Sequence, residues 1–153
     1  MKWSVRSAWR ALKSRFTGCR SGVSPKPAPT RSTTPHHLLL GRKAERLAVS
    51  YLRSKRHRIL ARNFTARFGE IDIVSRLGET VVFTEVKSSV RAPGFAPRDR
   101  ITLSKRRKLE QLSLIFLRRN GLEDVPVRFD IIEVNFAHPK DSRPRIVHLP
   151  GAF

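Results

Sequence analysis

GEIDIVSRLGETVVFTEVK, residues 69–87, is the stretch on which the fold turns. Gly69–Ser75 and Thr80–Lys87 alternate and are rich in β-branched residues, while Leu77-Gly78-Glu79 between them has turn composition. The stretch therefore predicts an antiparallel hairpin. Centring its turn between Gly78 and Glu79 sets Asp72 opposite Glu85 and Glu70 opposite Lys87. All four side chains then emerge on one face, with opposed Cβ atoms about 5 Å apart. Val74 and Phe83 share that face, so it is not simply wet.

Carboxylates this close repel unless a proton or a cation holds them together. Oxygen donors of this kind suit Mg2+ or Mn2+, which carboxylates and phosphate oxygens share. A lysine beside them is suited to stabilising charge that develops on a phosphoryl group. The same alternation also describes a solvent-facing sheet, with Glu70–Lys87 as a cross-strand ion pair. Spacing alone leaves both readings open.

Working outward, Leu40, Ala44, Leu47, Ala48 and Tyr51 recur at helical spacing, with Leu52 at the edge of the stripe. This predicts a helix to about Arg53, with Glu45 on the flank of its apolar face. A strand is expected over Arg58–Asn63. Downstream, residues 88–100 have loop composition, and Ser104–Arg119 predicts a second helix carrying Leu109, Leu112, Ile115 and Phe116. Gly121 is placed to end that helix. Val127–Val134 follows Pro126 as a strand, and Arg145–Leu149 as a last short one. The order implies an α/β domain with helices on a central mixed sheet, in two or three layers. All-helical and all-β domains are excluded.

The chain has 153 residues, with 32 Lys or Arg against 12 Asp or Glu, a formal charge of +20. That length supports one domain, expected over residues 38–153. Residues 1–37 are expected to be a basic, Ser- and Pro-rich extension: the first 40 positions hold eight basic residues and no acid. Within it, Trp3, Val5, Trp9, Leu12 and Phe16 form one short amphipathic stripe. A basic arm touching nucleic acid, an organelle transit peptide and an extension without function all suit it. A single cysteine, Cys19, excludes an internal disulfide framework and a cysteine-built zinc site. No apolar run is long enough to span a membrane.

The basic excess favours a polyanionic partner. Arg98, Arg100, Lys105, Arg106, Arg107 and Lys108 gather around the loop and the start of the second helix. Arg62 and Arg67, with Arg42 and Lys43 near the first helix's start, form further basic groups. Each alone is an ordinary surface charge; as a set they suit phosphates gripped without reading sequence.

Several stretches together resemble the YraN-like family, also called UPF0102, small bacterial proteins related to archaeal Holliday junction resolvases. The first are Gly41-Arg42-Lys43-Ala44-Glu45-Arg46-Leu47-Ala48 and Ile59-Leu60-Ala61-Arg62-Asn63-Phe64. Phe68-Gly69-Glu70-Ile71-Asp72-Ile73-Val74 and Val82-Phe83-Thr84-Glu85-Val86-Lys87 follow. Lys105-Arg106-Arg107 and Val127-Arg128-Phe129-Asp130-Ile131-Ile132 complete the set.

The resemblance implies the restriction-endonuclease-like fold of the PD-(D/E)xK superfamily. By its pattern Asp72 and Glu85 bind the divalent metal, Lys87 is the catalytic lysine and Glu45 completes the ligand set. Glu70 is implied as a further ligand or as the partner of Lys87, and Asp130 as a supporting or structural acid. The implied activity is a metal-dependent endonuclease using Mg2+ (or Mn2+), with DNA, branched or otherwise structured, as substrate. Structured RNA is a second substrate class, and binding without cleavage on the same scaffold is the rival function. A symmetric branched substrate calls for a homodimer, and the expected location is cytoplasmic, with nucleoid association. Ala44 departs from the family's usual glycine, and His57-Arg58 from its usual Gly-aromatic pair.

Overall fold

The hairpin forms in the register read from the sequence. In the computed structural model, which describes residues 36–90 and 102–152, Leu77 pairs with Thr80, Ser75 with Val82 and Ile73 with Thr84. The elements are α1 (His36–Ser54), β1 (Arg58–Ala66), β2 (Gly69–Leu77) and β3 (Thr80–Val90), then α2 (Leu103–Arg119), β4 (Val127–Phe136) and β5 (Arg145–Leu149). The sheet order is β1-β2-β3-β4-β5, antiparallel throughout except for the parallel β3–β4 pair. Parallel neighbours need a crossover, and α2 lies in it.

The helices cover opposite faces, giving three layers. Ala44, Ala48, Val49 and Leu52 of α1 pack on Ile73, Ile132, Val134 and Phe136. Leu109, Leu112, Phe116 and Leu117 of α2 pack on Ile71, Val74, Val81 and Phe83. With one helix on each face, the mixed sheet bears out the expected restriction-endonuclease-like α/β fold. Among the described residues no helix is long and apolar enough to cross a membrane.

Most elements run longer than their sequence signal. Residues 88–90, expected in a loop, continue β3 because β4 lies alongside them, pairing Ser88 with Val134 and Val90 with Phe136. The buried stripe of α2 is Leu109, Leu112, Ser113, Phe116 and Leu117, with Ile115 only half-buried. That set keeps the i, i+3, i+4, i+7 spacing more strictly than the expected one. Gly121, at φ +63°, closes the helix as expected: the Leu122 N–H donates to the Leu117 carbonyl at 2.9 Å. Residues 1–35 of the expected extension, and Arg98 and Arg100, lie outside the described residues.

Candidate active site

Asp72 sits where the sheet lets go. In β1–β2 the ladder pairs Arg62 with Ile73 and Phe64 with Ile71, and in β2–β3 it ends at Ile73–Thr84. Among the described pairs, neither ladder includes Asp72. The expected direct pairing of Asp72 with Glu85 is replaced by a closer interlock, in which the Val86 N–H donates to Asp72 Oδ2 at 2.7 Å. On the other side, Asn63 takes φ +51° within β1. Asn tolerates this left-handed conformation better than most residues with a Cβ. β3 leaves β2 after Thr84 and continues beside β4 alone, which opens a gap at the carboxylates.

The gap is a cleft of about 380 Å3 with walls of opposite charge. Glu70, Asp72 and Glu85 form one side, Lys105 and Lys108 from the first turns of α2 the other, and Leu109 and Leu112 lie beneath. Lys105 donates to Glu85 Oε1 as an ion pair. Burial, then the Glu85 charge, with Glu45 adding, raises the Asp72 carboxyl from its ordinary 3.8 to about 7; the Val86 N–H and Lys105 oppose this. The charges of Glu85 and Glu45 thus both act on Asp72.

The donor chemistry suits a hard divalent cation. Among the described residues no three His, Cys, Asp or Glu side chains already form a ligand cage. Mg2+ does not require one, since it commonly takes one or two carboxylates and completes its shell with water and phosphate oxygens. Lys87 follows Glu85 by two residues in β3, so alternation gives the two one face; Glu133 is its register neighbour on β4.

Glu45, on α1, does not line the cleft; its charge acts on Asp72, and its Oε2 accepts from Asn63 Nδ2 at 3.0 Å. Asn63 therefore does two jobs, interrupting the ladder beside Asp72 and holding Glu45. Its one sequence signal is an Asn at the end of the strand expected over Arg58–Asn63, which the structure continues to Ala66. Asn63→Ala is expected to lose about 1–2 kcal/mol, the cost of an ordinary side chain in the left-handed region. Asn63→Gly, which also loses the hydrogen bond, should recover most of that in urea unfolding. Equal losses in the two variants would show that backbone conformation is not the cause.

The basic residues divide. Lys105 and Lys108 line the cleft, and Arg107 and Arg42 are exposed. Arg106 donates to Glu110 at 3.0 Å, and Arg62 is exposed on β1. Arg67 lies over the Phe68 ring, 4.6 Å from its centroid. Lys43 is turned inward, donating to the Asp141 carbonyl at 2.6 Å and lying over the Phe136 ring.

Asp130 is not brought to the acidic group. It is 1% exposed and shares the α1-facing alternation of Ile132 and Val134, on the opposite face of the sheet from Glu85. Its carboxylate accepts two hydrogen bonds from Arg128 at 2.8 Å, one from Gly151 N at 3.0 Å, and lies 2.8 Å from His148 Nε2. Burial pushes the Asp130 carboxyl up, but these hydrogen bonds and the Arg128 charge outweigh it and hold it below the usual range. Next to it, burial and the Arg128 charge lower His57, whose Nδ1 is 3.0 Å from Ser75 Oγ. Of the two expected roles, the structural one matches this placement.

The model of the uncharacterised protein family UPF0102 matches residues 44–134, a span containing Glu45, Asn63, Asp72, Glu85, Lys87 and Lys105. The chain is 41% identical to a UPF0102 protein of Geobacter sulfurreducens over 82% of its length and 96% of the relative's. It is 42% identical to one of Geobacter metallireducens over 77% of its length and 94% of the relative's. A UPF0102 protein of Rhodococcus jostii is 36% identical over 77% of this chain and 98% of its own length.

Proposed function

This chain belongs to the UPF0102 family, and from that premise we propose that it is a metal-dependent endonuclease hydrolysing phosphodiesters in DNA, branched or otherwise structured. The observation that carries the reading is the cleft itself: Asp72 and Glu85 on one wall, Lys105 and Lys108 facing them on the other. An acidic wall alone would repel a phosphate, and a basic wall alone would only bind one. Together they suit a phosphate held against a cation.

Asp72, Glu85 and Glu45 are the residues that would hold Mg2+ or Mn2+. When bound, the ion would neutralise charge on the phosphate and activate a water for attack. Lys87 is assigned the stabilisation of charge developing on the phosphoryl oxygens. Lys105 and Lys108 are assigned the neighbouring phosphate, with Arg107 and Arg42 extending the grip. The first turn of α2 supports this: it carries basic residues and no acid, the reverse of what the helix dipole favours unless an anion arrives. Glu70 is a wall residue beside the ligands.

The test is cleavage of linear, nicked, flap and four-way DNA, and of RNA, with Mg2+, Mn2+ or EDTA. Cutting is expected with either metal and not with EDTA, and best on branched DNA, for which a homodimer supplies two symmetric centres. Metal-dependent cutting that survives Lys87→Ala would put the activity elsewhere. Binding without cutting would favour the second reading, a nucleic-acid-binding protein on the same scaffold. The Lys105–Glu85 ion pair, which already neutralises one of the acids, is the observation on its side.

A further inference from the structure

We infer that the Lys105 ammonium is the resident counterion of the acidic wall, and that a divalent cation binds by displacing it from Glu85. The inference rests on the metal-site reading above and assigns Lys105 a role separate from a permanent phosphate contact.

The two partners differ in freedom. The Glu85 side chain is 11% exposed, fixed on β3 among the wall residues, while that of Lys105 is 47% exposed at the start of α2. A desolvated carboxylate held by the sheet is costly to leave without a positive partner. An ammonium on a flexible, half-exposed stem gives up its contact at small cost, because water receives it. The pair is therefore asymmetric, a fixed acid and a movable base.

The neighbours fit that assignment. Asp72 feels the charges of both Glu85 and Lys105, so the lysine offsets part of the repulsion that Glu85 exerts on Asp72. The other positive wall residue, Lys108, stands one turn further along α2 in the same cleft, while the ion pair to Glu85 is made by Lys105. Arg106, between them, is engaged with Glu110 on its own helix. Once a cation takes Glu85, the displaced ammonium remains within the cleft, able to form a charge-assisted hydrogen bond with a phosphate oxygen. Metal arrival and phosphate grip are then linked, and linkage makes each favour the other.

The test is Mn2+ titration of the full chain without nucleic acid, by calorimetry and by electron paramagnetic resonance of free Mn2+, at fixed ionic strength. Lys105→Met is expected to bind Mn2+ about fivefold more tightly than the parent, because an internal competitor has gone. Lys108→Met removes the same charge from the same cleft and should gain less than about twofold. Lys105→Arg, which keeps a competitor, should bind no more tightly than the parent. In a Glu85→Gln background the Lys105→Met gain should vanish. Binding by the parent with equal gains in Lys105→Met and Lys108→Met would overturn the inference and leave the metal site standing. No Mn2+ binding in either the parent or Lys105→Met would sink the metal-site reading and the inference with it.

Discussion

Asp130→Ala is expected to cost about 3–5 kcal/mol of folding stability, the size associated with stripping one partner from a buried charge network. The carboxylate is fully buried and has three partners: Arg128 on its own strand, His148 on β5, and the backbone of Gly151 in the turn beyond it. Alanine leaves the half-buried guanidinium, the imidazole and an N–H without that acceptor. Asp130→Asn keeps the shape and some acceptor capacity and should cost less. Because the folded carboxyl lies below its ordinary value, its contribution is complete above the unfolded pKa and is lost as pH falls through the folded one. The parent should therefore lose stability more steeply in acid than Asp130→Asn. Urea unfolding across pH measures both, and a loss below about 1 kcal/mol for the alanine variant would contradict the structural role.

Asp72→Asn should move stability the other way. An acid whose folded pKa is raised is protonated alike in both states at low pH. The folded protein then loses ground as pH climbs from the unfolded value toward the folded one, here from 3.8 to about 7. At 1.36 kcal/mol per unit, the shift corresponds to at most about 4 kcal/mol above that window. Asp72 is half-buried, so solvent screening reduces the effect, and about 1–2 kcal/mol is expected. Asparagine removes the penalty while its carbonyl still accepts from Val86 N–H. The metal-free variant should be more stable than the parent above pH 7 and equal to it near pH 4. On the proposed function, the same change should lower Mn2+ affinity and cut cleavage by at least about a hundredfold. A variant that is less stable at pH 8 would show that the acid is not strained in the parent.

These opposite signs separate two acids that the family resemblance already sets apart, Asp72 as a metal ligand and Asp130 as a supporting or structural acid. Asp72 and Asp130 both follow an apolar neighbour in a strand, and nothing in their local patterns tells them apart. The hairpin was legible because alternation and a Gly-containing turn agree, which also fixed the register from Ile73 to Leu77. The interruption at Asp72 was not, because it depends on a left-handed backbone at Asn63 and on β3 parting from β2. Likewise, Ser88 to Val90 carry little strand signal of their own and are held by β4. The Lys105–Glu85 pair joins residues 20 apart, from a helix and a strand, and periodicity within either element says nothing about it. The choice of Leu117 over Ile115 for the core was settled by which side of α2 meets the sheet.

The departure of β3 from β2 also bears on how the chain assembles. β1, β2 and β3 follow one another through short turns, so their pairing closes small loops and forms readily. The β3–β4 ladder instead joins residues such as Ser89 and Asn135, 46 apart, and awaits the crossover through α2. Glu85 lies at the junction between these early and late pairings. The acidic wall is consequently among the last parts to become complete, and in hydrogen exchange the amides of Glu85, Lys87 and Ser89, which face β4, should open with β4, while that of Val86, held by Asp72, follows the hairpin.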